Sequence, residues 1–163
     1  MINECSSLED WKNVYKTLVK WEIKLSNTDD VDIVEIIMSQ KKYANNLFSS
    51  FIEKNYQKEL KNESFVSSIN IFKKHVFPNI NSKESTLLIL IDNFRYDQWK
   101  MIEGLITENY TIDEEFLYTS ILPTTTQYSR NSIFSGLSPL QIKKKYPSYW
   151  VDEFDNTNKN KFE

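Results

Sequence analysis

The chain has 163 residues, 40% of them hydrophobic, 14% aromatic and 26% charged, with a formal net charge of −3. That length and balance fit one soluble globular domain, or a small module joined to part of a larger one, and exclude an intrinsically disordered chain. Acids and bases are interspersed along the sequence, which offers neither a basic stripe for duplex nucleic acid nor a polybasic membrane patch. A single cysteine, Cys5, precludes an internal disulfide and fits a reducing cytoplasm. Residues Met1 to Asp10 are polar and acidic, unlike a signal peptide, and the longest apolar run, Leu87–Ile91, is too short to span a bilayer, so no membrane insertion is expected. Glycine occurs only at Gly104 and Gly136, which excludes a glycine-rich phosphate loop.

The first predicted element opens on Ser7-Leu8-Glu9-Asp10, a hydroxyl followed three residues later by an acid, as in a capping box. Trp11, Val14, Tyr15, Leu18, Trp21 and Leu25 then recur at spacings of three and four, which predicts a helix over about 8–26. Asn27-Thr28-Asp29-Asp30 ends it and caps a longer one, over about 31–57, with Val34, Ile37, Ala44, Phe48 and Phe51 on one face. A third segment, about 65–76, carries Phe65, Val66, Ile69, Phe72 and Val76 before Pro78. Three such helices predict an antiparallel bundle over 1–79. Its one histidine, His75, reads as a surface or dipole-complementing residue.

After a polar linker the pattern changes. Leu87–Ile91 has no alternation, which predicts a strand buried on both faces of a parallel sheet. A helix over 96–108 follows, then an edge strand over 111–117 that carries Asp113, Glu114 and Glu115, then a helix over 126–135 closed by Gly136. This β-α-β-α order predicts an α/β sandwich over 85–163. Lys143-Lys144-Lys145 reads as a solvated helix face, with phosphate contact as the other reading. Asp152, Glu153 and Asp155 fall in a polar tail.

Two stretches carry chemistry. Asp92 follows the apolar run at the predicted strand tip, where α/β sheets bind ligands; it is a metal ligand or the cap of the next helix. Pro123-Thr124-Thr125-Thr126 leads into a helix, where a hydroxyl either caps the first turn or serves as a nucleophile. Spacing alone does not choose among the three threonines. Arg130 and Asn131, about one turn on, are phosphoryl-oxygen donors or solvated helix residues.

The pair Leu87–Trp99 and Leu122–Pro139 resembles the start of a PglZ domain, in the alkaline phosphatase superfamily. The helical segment, with Trp11-Lys12-Asn13-Val14-Tyr15 and Ser39–Asn45, is similar to the middle bundle of PorX-type response regulators of type IX secretion. The resemblance implies a truncated alkaline-phosphatase-like α/β sandwich preceded by a small helical bundle. It implies Asp92 as metal ligand, Thr126 as nucleophile and second metal contact, two zinc ions in a complete domain, and a phosphodiester or nucleotide substrate. It also implies a cytoplasmic role in two-component control, with a sensor kinase, a secretion-motor subunit or a sigma factor as partner. The superfamily draws further Asp and His ligands from later strands, and these are expected to be missing here, leaving this piece inactive by itself. The alternative is a non-catalytic signalling module that forms a homodimer through its helices.

Overall fold

The computed structural model describes residues 2–26, 28–62 and 64–151, so Asp152, Glu153 and Asp155 lie outside the described residues. The chain divides into two compact units, Met1–Glu63 with Asn93–Glu115, and Ser64–Asp92 with Phe116–Glu163.

In the first unit, α1 (Leu8–Leu25) starts on the expected box: the Ser7 hydroxyl accepts from the Asp10 amide, and the Asp10 carboxylate accepts from the Ser7 amide. Together these satisfy two of the donors that a helix start leaves unpaired. Three hydrogen bonds, from the Ser6 amide, the Ser7 hydroxyl and the Ser7 amide, hold the Asp10 carboxyl below its ordinary range. Asp30 caps α2 (Val31–Glu59) by accepting from the amides of Asp32 and Ile33. The two helices bury Trp11, Val14 and Ala44 together, with Leu18, Leu47, Phe48 and Phe51 packed around them. Trp11 meets the rings of Phe48 and Phe51 at 5.5 and 6.2 Å, within the range of favourable tilted aromatic pairs. The helix α3 (Tyr96–Thr107) packs on α1, where Tyr96 meets Tyr15 at 5.9 Å.

In the second unit, the predicted 65–76 helix is instead a turn followed by a short π-helical stretch, Phe72–Val76, and a 3-10 turn, Phe77–Asn79. His75 does not face open solvent; its ring stacks on Phe116 at 3.9 Å. Two further helices follow, α4 (Thr126–Ser135) and α5 (Pro139–Lys145), packed on each other. Gly136 ends α4 in the left-handed conformation at φ 64°, as the sequence signalled.

The expected α/β sandwich is not formed. Among the described residues the only strand-like pairing is one isolated parallel bridge, Ser67 with Thr119, and there is no sheet. The segment Leu87–Ile91 pairs with no other segment among the described residues, and its side chains are exposed, Leu87 at 83% and Ile89 at 71%. The physical reason is that a strand exists only through a ladder of partners, and an apolar run without neighbours has neither hydrogen bonds nor a face to bury. The 111–117 segment is likewise no edge strand. Its Glu115 is drawn onto α3, accepting from Tyr96 Oη at 3.0 Å, Trp99 Nε1 at 2.7 Å and Lys100 Nζ at 2.9 Å.

Candidate active site

The second unit brings Asp92 and the start of α4 together. Thr125 is the N-cap residue of α4 and makes no side-chain capping bond, so Thr126 occupies the first helical position. The Thr126 hydroxyl donates to Asp92 Oδ2 at 3.5 Å, and Arg130 Nη1 donates to the same oxygen at 3.4 Å. Both contacts are long, at the outer limit of hydrogen bonding. The Asp92 side chain is 50% exposed and that of Arg130 21%. Asp92 does not cap the helix that follows it: the N-cap of α3 is Arg95, whose amide donates to Gln98 Oε1. Of the two readings of Asp92, the carboxylate thus goes to the first turn of α4. There the unpaired amides and the positive end of the helix dipole favour an anion.

Thr126 and Arg130 are four residues apart and share one helix face, which is why both reach Asp92. Asn131, at about 100° per residue, stands roughly 140° around from Thr126. It makes no hydrogen bond with Asp92 or Thr126, and its buried Oδ1 has no partner among the described residues.

A second set of polar groups fixes α4 through Ser129, one position before Arg130. Ser68 Oγ lies 3.0 Å from Ser129 Oγ, and Ser120 Oγ lies 2.7 Å from Ser129 Oγ. The Ile121 amide donates to Ser68 Oγ at 3.2 Å. Ser68 is fully buried and Ser129 nearly so. Sequence reasoning missed this serine network, because its members are up to 61 positions apart and no local pattern marks them. It also missed the ion pair between Arg130 and Asp92, although the i, i+4 spacing of Thr126 and Arg130 was a usable signal.

A metal ion fits the two oxygens as part of a larger ligand set. Two oxygens bound at about 2.0–2.2 Å to a tetrahedral ion lie roughly 3.4 Å apart, and Thr126 Oγ1 and Asp92 Oδ2 are 3.5 Å apart. No group of three His, Cys, Asp or Glu side chains that could hold a metal occurs among the described residues.

Residues 71–163 match the family described as the BREX system PglZ alkaline phosphatase-like domain, and the chain belongs to that family. Residues 1–60 match the PorX response regulator linker domain, so the order along the chain is that of a PorX-type protein with a PglZ domain. No curated protein matches the chain. No helix among the described residues is long and apolar enough to cross a membrane.

Proposed function

We propose that the chain carries the nucleophile and one metal ligand of a zinc-dependent phosphodiesterase in a PorX-type regulator of type IX secretion. The observation that carries this reading is the convergence of Asp92 and Thr126, 34 positions apart, at the first turn of α4. The PglZ match supports the reaction class. Asp92 is the metal ligand and Thr126 the nucleophile and second metal contact. When bound, zinc supplies positive charge that lowers the pKa of a hydroxyl or water and offsets charge developing on phosphoryl oxygens.

The remaining chemistry belongs to the protein. Asp92 Oδ2 orients the Thr126 hydroxyl by accepting its proton in a hydrogen bond. As the Thr126 oxygen bonds to phosphorus, the bond from phosphorus to the leaving alkoxide breaks, and the proton lost from the Thr126 hydroxyl is taken up by that alkoxide. This leaves Thr126 esterified to a phosphoryl group that keeps the substrate's other ester substituent, and water then attacks that phosphorus, releasing a phosphate monoester and the Thr126 hydroxyl. Arg130, one turn along the same face, donates to a phosphoryl oxygen in this reading, once its long contact with Asp92 yields. Asn131 is the second donor of the proposal, reached only by a change in its side-chain direction. The substrate is a phosphodiester or nucleotide. The setting is the cytoplasm, with a sensor kinase, a secretion-motor subunit or a sigma factor as partner.

Two protein oxygens fall short of the three protein ligands typical of catalytic zinc. The 163-residue chain is therefore expected to bind zinc weakly and to show no turnover of a chromogenic phosphodiester. Incubation of a PorX-type protein holding this sequence with substrate and zinc, followed by mass spectrometry, tests the nucleophile. The phosphoryl group with its remaining ester substituent on the peptide containing Thr126, lost in Thr126→Ala, is expected. Phosphate on another residue, or turnover unchanged by that substitution, overturns the assignment.

The second reading, a homodimerising signalling module, has its own observation. The first turns of α2 leave Val31, Val34 and Met38 exposed along one helix face, with Ile36 exposed on the other side.

A further inference from the structure

Acids and bases are mixed along the sequence, but α1 sorts its lysines onto one row. Lys12, Lys16, Lys20 and Lys24 recur at every fourth residue, so each stands about 40° around the helix and ~6 Å along it from the one before. Every acid of α1 is committed elsewhere: Glu9 to Lys12 at 3.2 Å, Asp10 to the cap at the helix start, and Glu22 to Lys41 of α2. The ammonium groups of Lys16, Lys20 and Lys24 have no hydrogen bond or ion pair among the described residues. Lys20 and Lys24 are exposed and Lys16 is half-buried.

Two features set this row apart from an ordinary solvated face. The first is its cost: like charges four residues apart repel and weaken a helix. Lys24, in the last turn, complements the negative end of the helix dipole, but that effect fades within a turn and does not reach Lys16 or Lys20. The second is Trp21, which borders the row on the side of Lys24 and is 52% exposed. Trp11, Val14 and Leu18 of the same helix are taken into the core against α2, while Trp21 is left outside it. An exposed indole beside unpaired ammonium groups suits a partner that is apolar on one side and anionic on the other.

We propose that the Lys16–Lys20–Lys24 row of α1, with Trp21, docks an acidic amphipathic helix of a partner protein. A helix with Glu or Asp at every fourth position repeats the same ~6 Å step, so three carboxylates meet three ammonium groups at once. An apolar side chain beside those carboxylates then covers Trp21, the residue type that most often anchors an interface. A single phosphate is the weaker fit, because Lys16 and Lys24 lie ~12 Å apart along the axis and cannot share it. An anionic bilayer is weaker too, since the apolar face of α1 is already buried and only Trp21 is left to insert. All these residues belong to the first unit, so the contact does not rest on the hydrolytic reading.

Fluorescence anisotropy of a labelled synthetic peptide with the 163-residue chain tests the proposal. The peptide carries Glu at every fourth position among Leu and Ala, over about sixteen residues, long enough to populate a helix. Binding at low salt is expected, weakening as added salt screens the charges. Replacing Lys16, Lys20 and Lys24 together by glutamine should cost on the order of tenfold and remove most of the salt dependence. Replacing them by arginine should preserve binding. Trp21→Ala should cost roughly tenfold with the salt dependence retained. Glutamine matches lysine in helix propensity, and circular dichroism confirms that the variants fold. Absence of binding at low salt, binding indifferent to the lysine substitutions, equal binding of the same peptide with Gln in place of Glu, or preference for phosphatidylserine vesicles or an oligonucleotide over the peptide would each overturn it. A dimer of the parent chain that the lysine substitutions dissolve would also overturn it, by giving the row to a second copy.

Discussion

Thr126 Oγ1 and Arg130 Nη1, one turn apart on α4, both point their protons at a single oxygen of Asp92, at 3.5 and 3.4 Å. The carboxylate is thus shared between a hydroxyl and a guanidinium at the positive end of a helix, yet neither contact is tight. A half-exposed ion pair of this length contributes little to folding, about 0–1 kcal/mol. Asp92→Asn is expected to lower stability by less than about 1 kcal/mol, measured by urea denaturation. A loss of several kcal/mol would show that Asp92 is structural.

The serine network behaves in the opposite way. Ser68 Oγ is buried and sits between Ser129 Oγ and the Ile121 amide. Ser68→Ala strands a buried donor, and the expected cost is about 1–3 kcal/mol. The same denaturation experiment measures it, and an unchanged midpoint would show that the network does not hold α4.

Glu115 gives a pH prediction. Burial pushes its carboxyl up, but the hydrogen bonds from Lys100, Trp99 and Tyr96 outweigh that and leave it below its ordinary value. A carboxyl depressed on folding contributes stability that is present above its unfolded pKa of about 4.3 and is lost as pH falls through the folded value. The parent chain should lose stability on acidification below that point, and Glu115→Gln should remove part of this dependence. At neutral pH the same variant should cost on the order of 2 kcal/mol, since hydrogen bonds to a charged group are lost. Thermal melts across the acid range read both effects.

The helical half of the sequence was legible because its signals are local. A capping box at Ser7, an apolar repeat of three and four, and a glycine after Ser135 each act within a few residues, and the structure reproduces them. The Leu87–Ile91 strand was not, because an apolar run says that a segment wants partners and does not supply them. Its composition fits a central strand, but among the described residues nothing pairs with it. At the site, Asp92 and Thr126 stood out by their positions after an apolar run and after a proline. The serines that brace α4 depend on which distant segments meet.

Gly136 tests the termination of α4. Its φ of 64° is a conformation that side chains rarely adopt, while an added Cβ would meet only Ile69 O at 3.6 Å, an ordinary contact. Gly136→Ala should therefore cost about 1–2 kcal/mol from backbone conformation alone, read as a lowered denaturation midpoint. No loss would mean that the turn rearranges without cost.

The exposed start of α2 tests the dimer reading. Met38, at 67% exposure, shares one face of α2 with Val31 and Val34. If a second copy covers it, sedimentation velocity should show a dimer that Met38→Glu converts to monomer with its helicity intact. A parent chain that stays monomeric at high concentration would remove this reading.

The account depends most on Asp92 and Thr126 sharing one divalent ion. Calorimetric titration of zinc into the parent chain, Asp92→Asn and Thr126→Ala tests this most directly. One weakly held ion per parent chain is predicted, abolished by Asp92→Asn and weakened by Thr126→Ala. No zinc uptake by the parent, or uptake unaffected by either substitution, would contradict it.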